Sequence, residues 1–212
     1  MLVMTVATVR HMDNPHRTVI SRGMEFDTDI AIIGGGLNGP TLALALAKAG
    51  LRVSVIDALD IKARKNAAFD GRSYALALTS TRLLQGIDVW DAVKDNAQPM
   101  LEIKVTDGRA GDGPSPMFMH FDHAEIEEGP MGFMVEDRHL RRALLDAVEK
   151  TPEITQMNGQ TVTGQEADAT GITLTLACGK TLRARLAVGA DGRATGTGER
   201  AGIKRIGWEY GQ

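Results

Sequence analysis

Three glycines and two carboxylates carry most of the legible chemistry of this chain. Gly34, Gly36 and Gly39 fit G-x-G-x-x-G within DIAIIGGGLNGP, and Asp57 follows Gly39 by 18 residues. Each glycine has its own task in a turn that holds a dinucleotide: Gly34 permits the tight turn, Gly36 lets backbone approach a diphosphate, and Gly39 lets a helix pack close to a strand. Asp57 stands where a carboxylate accepts hydrogen bonds from the adenosine ribose hydroxyls, which selects against a 2′-phosphate. A second acid, Asp191, precedes Gly192 at the end of the apolar run Leu186–Ala190. That places it at the carboxyl edge of a sheet, where open α/β folds bind cofactors. Two arginines join the candidates. Arg72 can reach the diphosphate or adenosine side of such a ligand, and Arg138 opens a helix where the dipole prefers an anion. As surface charges, neither would need a ligand.

The elements that must position these residues follow from pattern. Asp29 to Ile33 is the short apolar, β-branched run of a buried parallel strand. Leu37 to Ala49 reads as a helix whose first-turn N–H groups face a diphosphate, with Pro40 tolerated in the first turn, Ala43 as a further small packing residue and Gly50 as C-cap. Leu51 to Ile56 is the second strand. Ala58 to Asp70 reads as a polar loop, and Leu83, Leu84 and Ile87 give helical spacing after a Thr79 or Ser80 cap.

Leu101–Thr106 alternates and runs into Asp107-Gly108, a strand and a turn. A glycine- and proline-rich loop then leads to a second strand candidate, Met117–Phe121. These two segments break the strand-helix rhythm and read as antiparallel sheet inserted into the α/β domain, one wall of a substrate pocket. Met117, Phe118, Met119 and Phe121 are read chiefly as core packing. His120 and His123, with Asp122 and Glu125 nearby, lack a second spaced ligand pair and are set aside as metal ligands. Arg138–Lys150 is an amphipathic helix capped by Asp137. Four short strands from Ile154 to Ala184, punctuated by Asn158-Gly159, Thr170-Gly171 and Gly179-Lys180, read as a meander of hairpins before the fresh strand Leu186–Ala190.

The chain has 212 residues, with 24 basic and 27 acidic side chains and a net charge of −3. No basic field invites nucleic acid. The single Cys178 allows no disulfide within the chain and suits a reducing compartment. No run approaches the ~20 apolar residues that span a bilayer. Residues 1–24 are read as a disordered leader, with Met24 an alternative start. Arg10, Arg17 and Arg22 against Asp13 leave a transit peptide as the other reading.

GGGLNGP with Asp57, followed by LAVGADGRAT around Asp191, resembles the group A FAD-dependent aromatic monooxygenases related to p-hydroxybenzoate hydroxylase. DGRSYALA, VEDRHLRRALLDAV and RAGIKRIGWEYGQ extend the resemblance to the ubiquinone-biosynthesis hydroxylases within that group. It spans Asp29 to Gln212. It implies an α/β, Rossmann-like FAD-binding domain of the p-hydroxybenzoate hydroxylase type with part of an inserted antiparallel substrate sheet. The expected division is 25–98 and 136–212 for the FAD-binding domain and 99–135 for the partial sheet. The chain then corresponds to a front half that stops before the family's third FAD motif.

The resemblance further implies that Gly34, Gly36 and Gly39 hold the FAD diphosphate, that Asp57 binds its ribose, and that Asp191, Arg72 and Arg138 serve the flavin nucleotide. Thr195 stands for the family's serine after the acid-glycine pair, and Gly198 occupies the place of its arginine. The activity implied is hydroxylation of an aromatic ring, here a polyprenyl phenol, with NAD(P)H or another electron donor. Implied too are a cytoplasmic location with peripheral association at the inner membrane, and a homodimer or contacts with other ubiquinone-pathway enzymes. The chemistry belongs to the cofactor, so no catalytic acid, base or nucleophile is assigned. Two readings compete with this one: a flavin-dependent polyprenyl reductase, and a nucleotide-binding module without turnover.

Overall fold

The computed structural model describes residues 26–65, 68–109, 111, 113–125, 128–192, 196–204 and 206–208. The leader 1–24 and Thr195 lie outside these residues. The chain divides into two units. One comprises the described residues up to Lys65 together with those from Leu145 onward, and the other lies between them, ending at Leu144. The expected boundaries at 98/99 and 135/136 fall inside the second unit.

The first unit is built on a six-stranded sheet. Strand β1 (Thr28–Ile33) pairs in parallel with β2 (Val53–Asp57), because residues on both of their faces are apolar enough to be covered. Helix α1 (Asn38–Lys48) joins them and buries Gly39, Pro40, Ala43, Leu44 and Ala47. It ends at Gly50, whose φ of +84° and bond to the Ala47 carbonyl stop the helix as expected. Strand β2 pairs on its other side with β8 (Ile154–Asn158), again in parallel. Beyond β1 come β11 (Thr181–Gly189), β10 (Ile172–Leu176) and β9 (Val162–Ala167), giving the order β8-β2-β1-β11-β10-β9. Ala31, Ile33, Ile56, Leu174, Leu176 and Leu182 pack one core against this sheet.

Two expectations are corrected here. Ile154–Asn158 does not open the meander; it is the parallel edge strand beside β2, with Asn158 opposite Asp57. The Gly159 N–H bonds the Leu59 carbonyl and the Gln160 N–H the Asp57 carbonyl, so the turn at Asn158-Gly159 follows β2 rather than a hairpin partner. The last meander strand and the fresh strand are also one element. β11 is antiparallel to β10 over Thr181–Ala184 and parallel to β1 over Ala184–Gly189.

Within the polar segment after β2, residues read as loop form a short helix, α2 (Ile61–Arg64), capped by the Asp60 side chain on the Lys62 N–H at 2.8 Å. The Lys65 ammonium pairs with Glu149 and Asp146, which raises its pKa.

The second unit contains a three-stranded antiparallel sheet, β3 (Ser73–Ala77), β7 (Gly132–Glu136) and β4 (Ala97–Met100), in the order β3-β7-β4. Trp90 meets Phe133 edge-on with ring centroids 4.9 Å apart. Helix α3 (Leu78–Gly86) follows β3 directly, so Thr79 and Ser80 lie inside it and Ala77 precedes it without a side-chain cap. The strand β5 (Glu102–Arg109) runs through the expected turn at Asp107-Gly108 and pairs with β6 (Gly113–Asp122). Helix α4 (Asp137–Glu149) begins at Asp137 itself, one residue earlier than expected.

The apolar cluster on β6 is not core. Met117, Phe118, Met119 and Phe121 are all exposed, as are Ile103 and Val105 on β5. Register explains their arrangement: Ile103 faces Phe121 and Val105 faces Met119, while Lys104 faces His120 and Glu102 faces Asp122. Because side chains alternate between faces, the hairpin has one apolar face and one largely polar face. Val105, Thr106, Asp107, Met117, Phe118 and Met119 line a shallow open concavity on it.

Candidate functional site

The first unit brings together five of the seven expected site residues. The Gly34 N–H bonds the Ile56 carbonyl at 2.8 Å and the Ala190 N–H bonds the Ile33 carbonyl at 2.7 Å, so the ends of β1, β2 and β11 meet at the glycine turn. Gly34 has φ +112°, and a methyl group there would collide with the Ala190 carbonyl and lie 2.6 Å from the Asp191 nitrogen. At Gly39 a methyl group would strike the Gly34 carbonyl oxygen; at Gly36 it would meet nothing within 4 Å. Two glycines therefore serve close packing, and the middle one faces open space.

The start of α1 has the matching electrostatics. Leu37 offers no side-chain cap and the first turn holds no acid, leaving the dipole's positive end without an internal carboxylate. Asp57 accepts from the Gly35 N–H at 2.5 Å through one oxygen and from the Leu59 N–H at 2.7 Å through the other. A carboxylate offers about four lone-pair sites, so it can still accept from ribose hydroxyls. Asp191 accepts from the Thr197 hydroxyl at 2.7 Å. Thr197 is the second residue of the short helix α5 (Gly196–Arg200), in which Gly198 also lies. The open side of Gly36, the uncapped helix start, the carboxylate that ends β2 and the one two residues beyond β11 fit the diphosphate and ribose of FAD.

Arg72 and Arg138 belong to the second unit. Arg72 is clamped by Asp70 and Asp137, and this pairing holds the Asp70 carboxyl down to about 2. Asp137 is 3% exposed and also accepts from the Tyr74 hydroxyl at 2.9 Å and pairs with Arg141 at 3.1 Å. Burial, followed by the bond to Asp137, raises the Tyr74 pKa. The Asp137 carboxylate thus organises a polar cluster instead of acting as a simple cap. Arg138 donates to Glu136 at 2.6 Å and lies over the Phe69 ring, so its conflict with the helix dipole is met from within the unit. Neither arginine is left as a bare surface charge.

On the hairpin, Glu102, His120 and Asp122 come within 4.8 Å of one another, a grouping across strands that spacing along one strand could not reveal. Lys104 already pairs with Glu102 at 2.7 Å, and the His123 ring turns to the Leu101 carbonyl.

Sequence reading missed one residue at the glycine turn. Arg64 is 4% exposed and donates to the Gly35 carbonyl at 2.5 Å and to Asn158 Oδ1 at 2.6 Å. Burial lowers its pKa and the Asp57 charge opposes that shift. Its only sequence signal was a charged residue shortly after the β2 acid.

Several known proteins are similar to this chain. The chain is 46% identical over 184 residues to a ubiquinone hydroxylase, UbiL, of Rhodospirillum rubrum, covering 87% of this chain and 42% of that protein. It is 34% identical over 188 residues to the 3-demethoxyubiquinol 3-hydroxylase of Escherichia coli, covering 87% and 46%. The chain thus spans less than half the length of these relatives. Among solved structures, p-nitrophenol 4-monooxygenase PnpA from Pseudomonas putida shares the fold with a TM-score of 0.68 at 19% identity, over 84% of this chain and 44% of that one. The strand-turn-helix, its three glycines and its terminal acids lie within residues 27–210, which match the FAD binding domain model, and the chain belongs to that family.

Proposed function

We propose that the complete protein is an FAD-dependent monooxygenase that hydroxylates the aromatic ring of a polyprenyl phenol in ubiquinone biosynthesis. The observation that carries this reading is the convergence of Gly36, Asp57 and Asp191 at adjoining strand ends, in a chain 46% identical over 184 residues to a ubiquinone hydroxylase. Bound FAD supplies the chemistry, activating oxygen after reduction. The chain's own residues bind and orient it. The N–H groups of the glycine turn and α1 receive the diphosphate, with Gly34 and Gly39 keeping strand and helix close enough to do so. Asp57 takes the adenosine ribose, and Asp191 serves the flavin side. NAD(P)H or another electron donor reduces the flavin, and the prenylated substrate draws the enzyme to the inner-membrane surface.

The test uses the full-length protein with FAD, NAD(P)H and oxygen, offered either a polyprenyl phenol or a soluble aromatic acid, with products followed by mass spectrometry. A gain of one oxygen atom on the prenylated phenol is expected. Hydroxylation of the soluble acid alone would overturn the substrate class, and reduction of the prenyl chain without oxygen uptake would overturn the reaction.

A further inference from the structure

The buried Arg64 explains a feature that the glycine motif leaves open. Between Gly34 and Gly36 the motif accepts any residue, yet this chain has a third glycine there. A side chain on Gly35 would run into Arg64, with its first carbon only 2.6 Å from the guanidinium carbon. The two peptide groups flanking Gly35 are each held. Asp57 accepts the N–H of the 34–35 peptide and Arg64 donates to the carbonyl of the 35–36 peptide. Asn158, opposite Asp57 on β8, steers the guanidinium through its side-chain oxygen.

The consequence follows from peptide geometry. The described chain has no cis peptide bond, so the 35–36 unit is planar and trans, and its N–H points opposite its C=O. That N–H belongs to Gly36. With the carbonyl turned to Arg64, the Gly36 N–H is turned away from it, and a side chain at Gly36 would meet nothing within 4 Å. We propose that Arg64 is a positioning residue of the FAD site, which by holding the Gly35 carbonyl aims the Gly36 N–H at the cofactor diphosphate. The inference rests on the reading that this turn binds FAD.

Full-length protein stripped of cofactor is titrated with FAD, followed by flavin fluorescence, for wild type, Arg64→Met, Asp57→Asn, the double variant and Asn158→Ala, with the melting temperature of each apo form. Arg64→Met is expected to raise the FAD dissociation constant roughly tenfold, the loss of one charge-assisted hydrogen bond. Asn158→Ala should raise it roughly fivefold, the loss of one ordinary bond. The double variant should lose less than the product of the two single effects, because both residues fix adjoining peptides of one turn. An Arg64→Met protein that binds FAD within about twofold of wild type overturns the proposal. So do multiplicative losses in the double variant, which mark Arg64 and Asp57 as acting on the cofactor independently and not through one shared turn. If Arg64→Met does not fold, Asn158→Ala decides by the same criterion. Absence of FAD binding in the wild type would instead overturn the FAD reading itself.

Discussion

Gly36 and Gly39 are the same residue type three positions apart, and the structure gives them opposite reasons to be glycine. A methyl group at Gly39 would collide with the Gly34 carbonyl oxygen, whereas one at Gly36 would enter empty space. Gly39→Ala should therefore lower the melting temperature of the apo form, by a strain of about 1–3 kcal/mol. Gly36→Ala should leave that temperature within about 2 °C of wild type, since the change creates no contact. Its cost should appear only in FAD titration, as weakened binding. Differential scanning fluorimetry with and without FAD separates the two, and a Gly36→Ala protein with unchanged FAD affinity would remove the diphosphate from this turn. Charge at the single-residue scale gives a second expectation. The Arg183 side chain, then Thr170, holds the Asp168 carboxyl well below its ordinary value. A carboxylate depressed in the folded state stabilises above its unfolded pKa of about 3.9, and that contribution fades as pH falls through the folded value. Asp168→Asn should thus shift the urea midpoint downward at pH 7, with the difference from wild type shrinking progressively below about pH 4. Because Asp168 is exposed, salt should shrink the difference as well.

At the scale of elements, Asp137 ties the start of α4 to β3 by accepting from Tyr74 and pairing with Arg72 and Arg141. Asp137→Ala should cost about 2 kcal/mol in urea unfolding, since it strips a buried acceptor from three donors. Asp137→Asn should cost less because an amide oxygen can still accept from the Tyr74 hydroxyl. Equal losses for the two would show that the charge, not the tyrosine bond, matters. The β1-α1-β2 unit around the glycines was legible from sequence because a buried parallel strand, a glycine turn and a terminal acid each impose residue types locally. Pairing was less legible. Asn158-Gly159 shows that the chain turns, but turn chemistry does not say whether the preceding strand joins its sequence neighbour or β2, where Asn158 pairs with Asp57, 101 residues earlier. The four-residue α2 is too short to show a helical period, so the burial of Arg64 left no pattern to read. Alternation on β5 and β6 revealed an apolar face without revealing whether anything covers it.

That face sets the behaviour of the molecule as a whole. Ile103, Val105, Met117, Met119 and Phe121 share one side of a two-stranded ribbon, with Met117 83% exposed. A lone two-stranded ribbon is marginal in water, and each Å² of apolar surface left wet forgoes about 25 cal/mol. Contiguous apolar surface of this kind drives association. The 212-residue chain produced alone should therefore bind the dye ANS and elute above its 22.7 kDa monomer mass in a concentration-dependent way. The pair Val105→Glu and Met119→Lys stands directly opposed on this face and should abolish both effects. Opposite charges across the strands would keep the ribbon paired while making its face polar. FAD affinity should not change, because the glycine turn belongs to the other unit. If dye binding and elution stay as in the parent chain, association arises from another surface and the exposed hairpin face has no part in it.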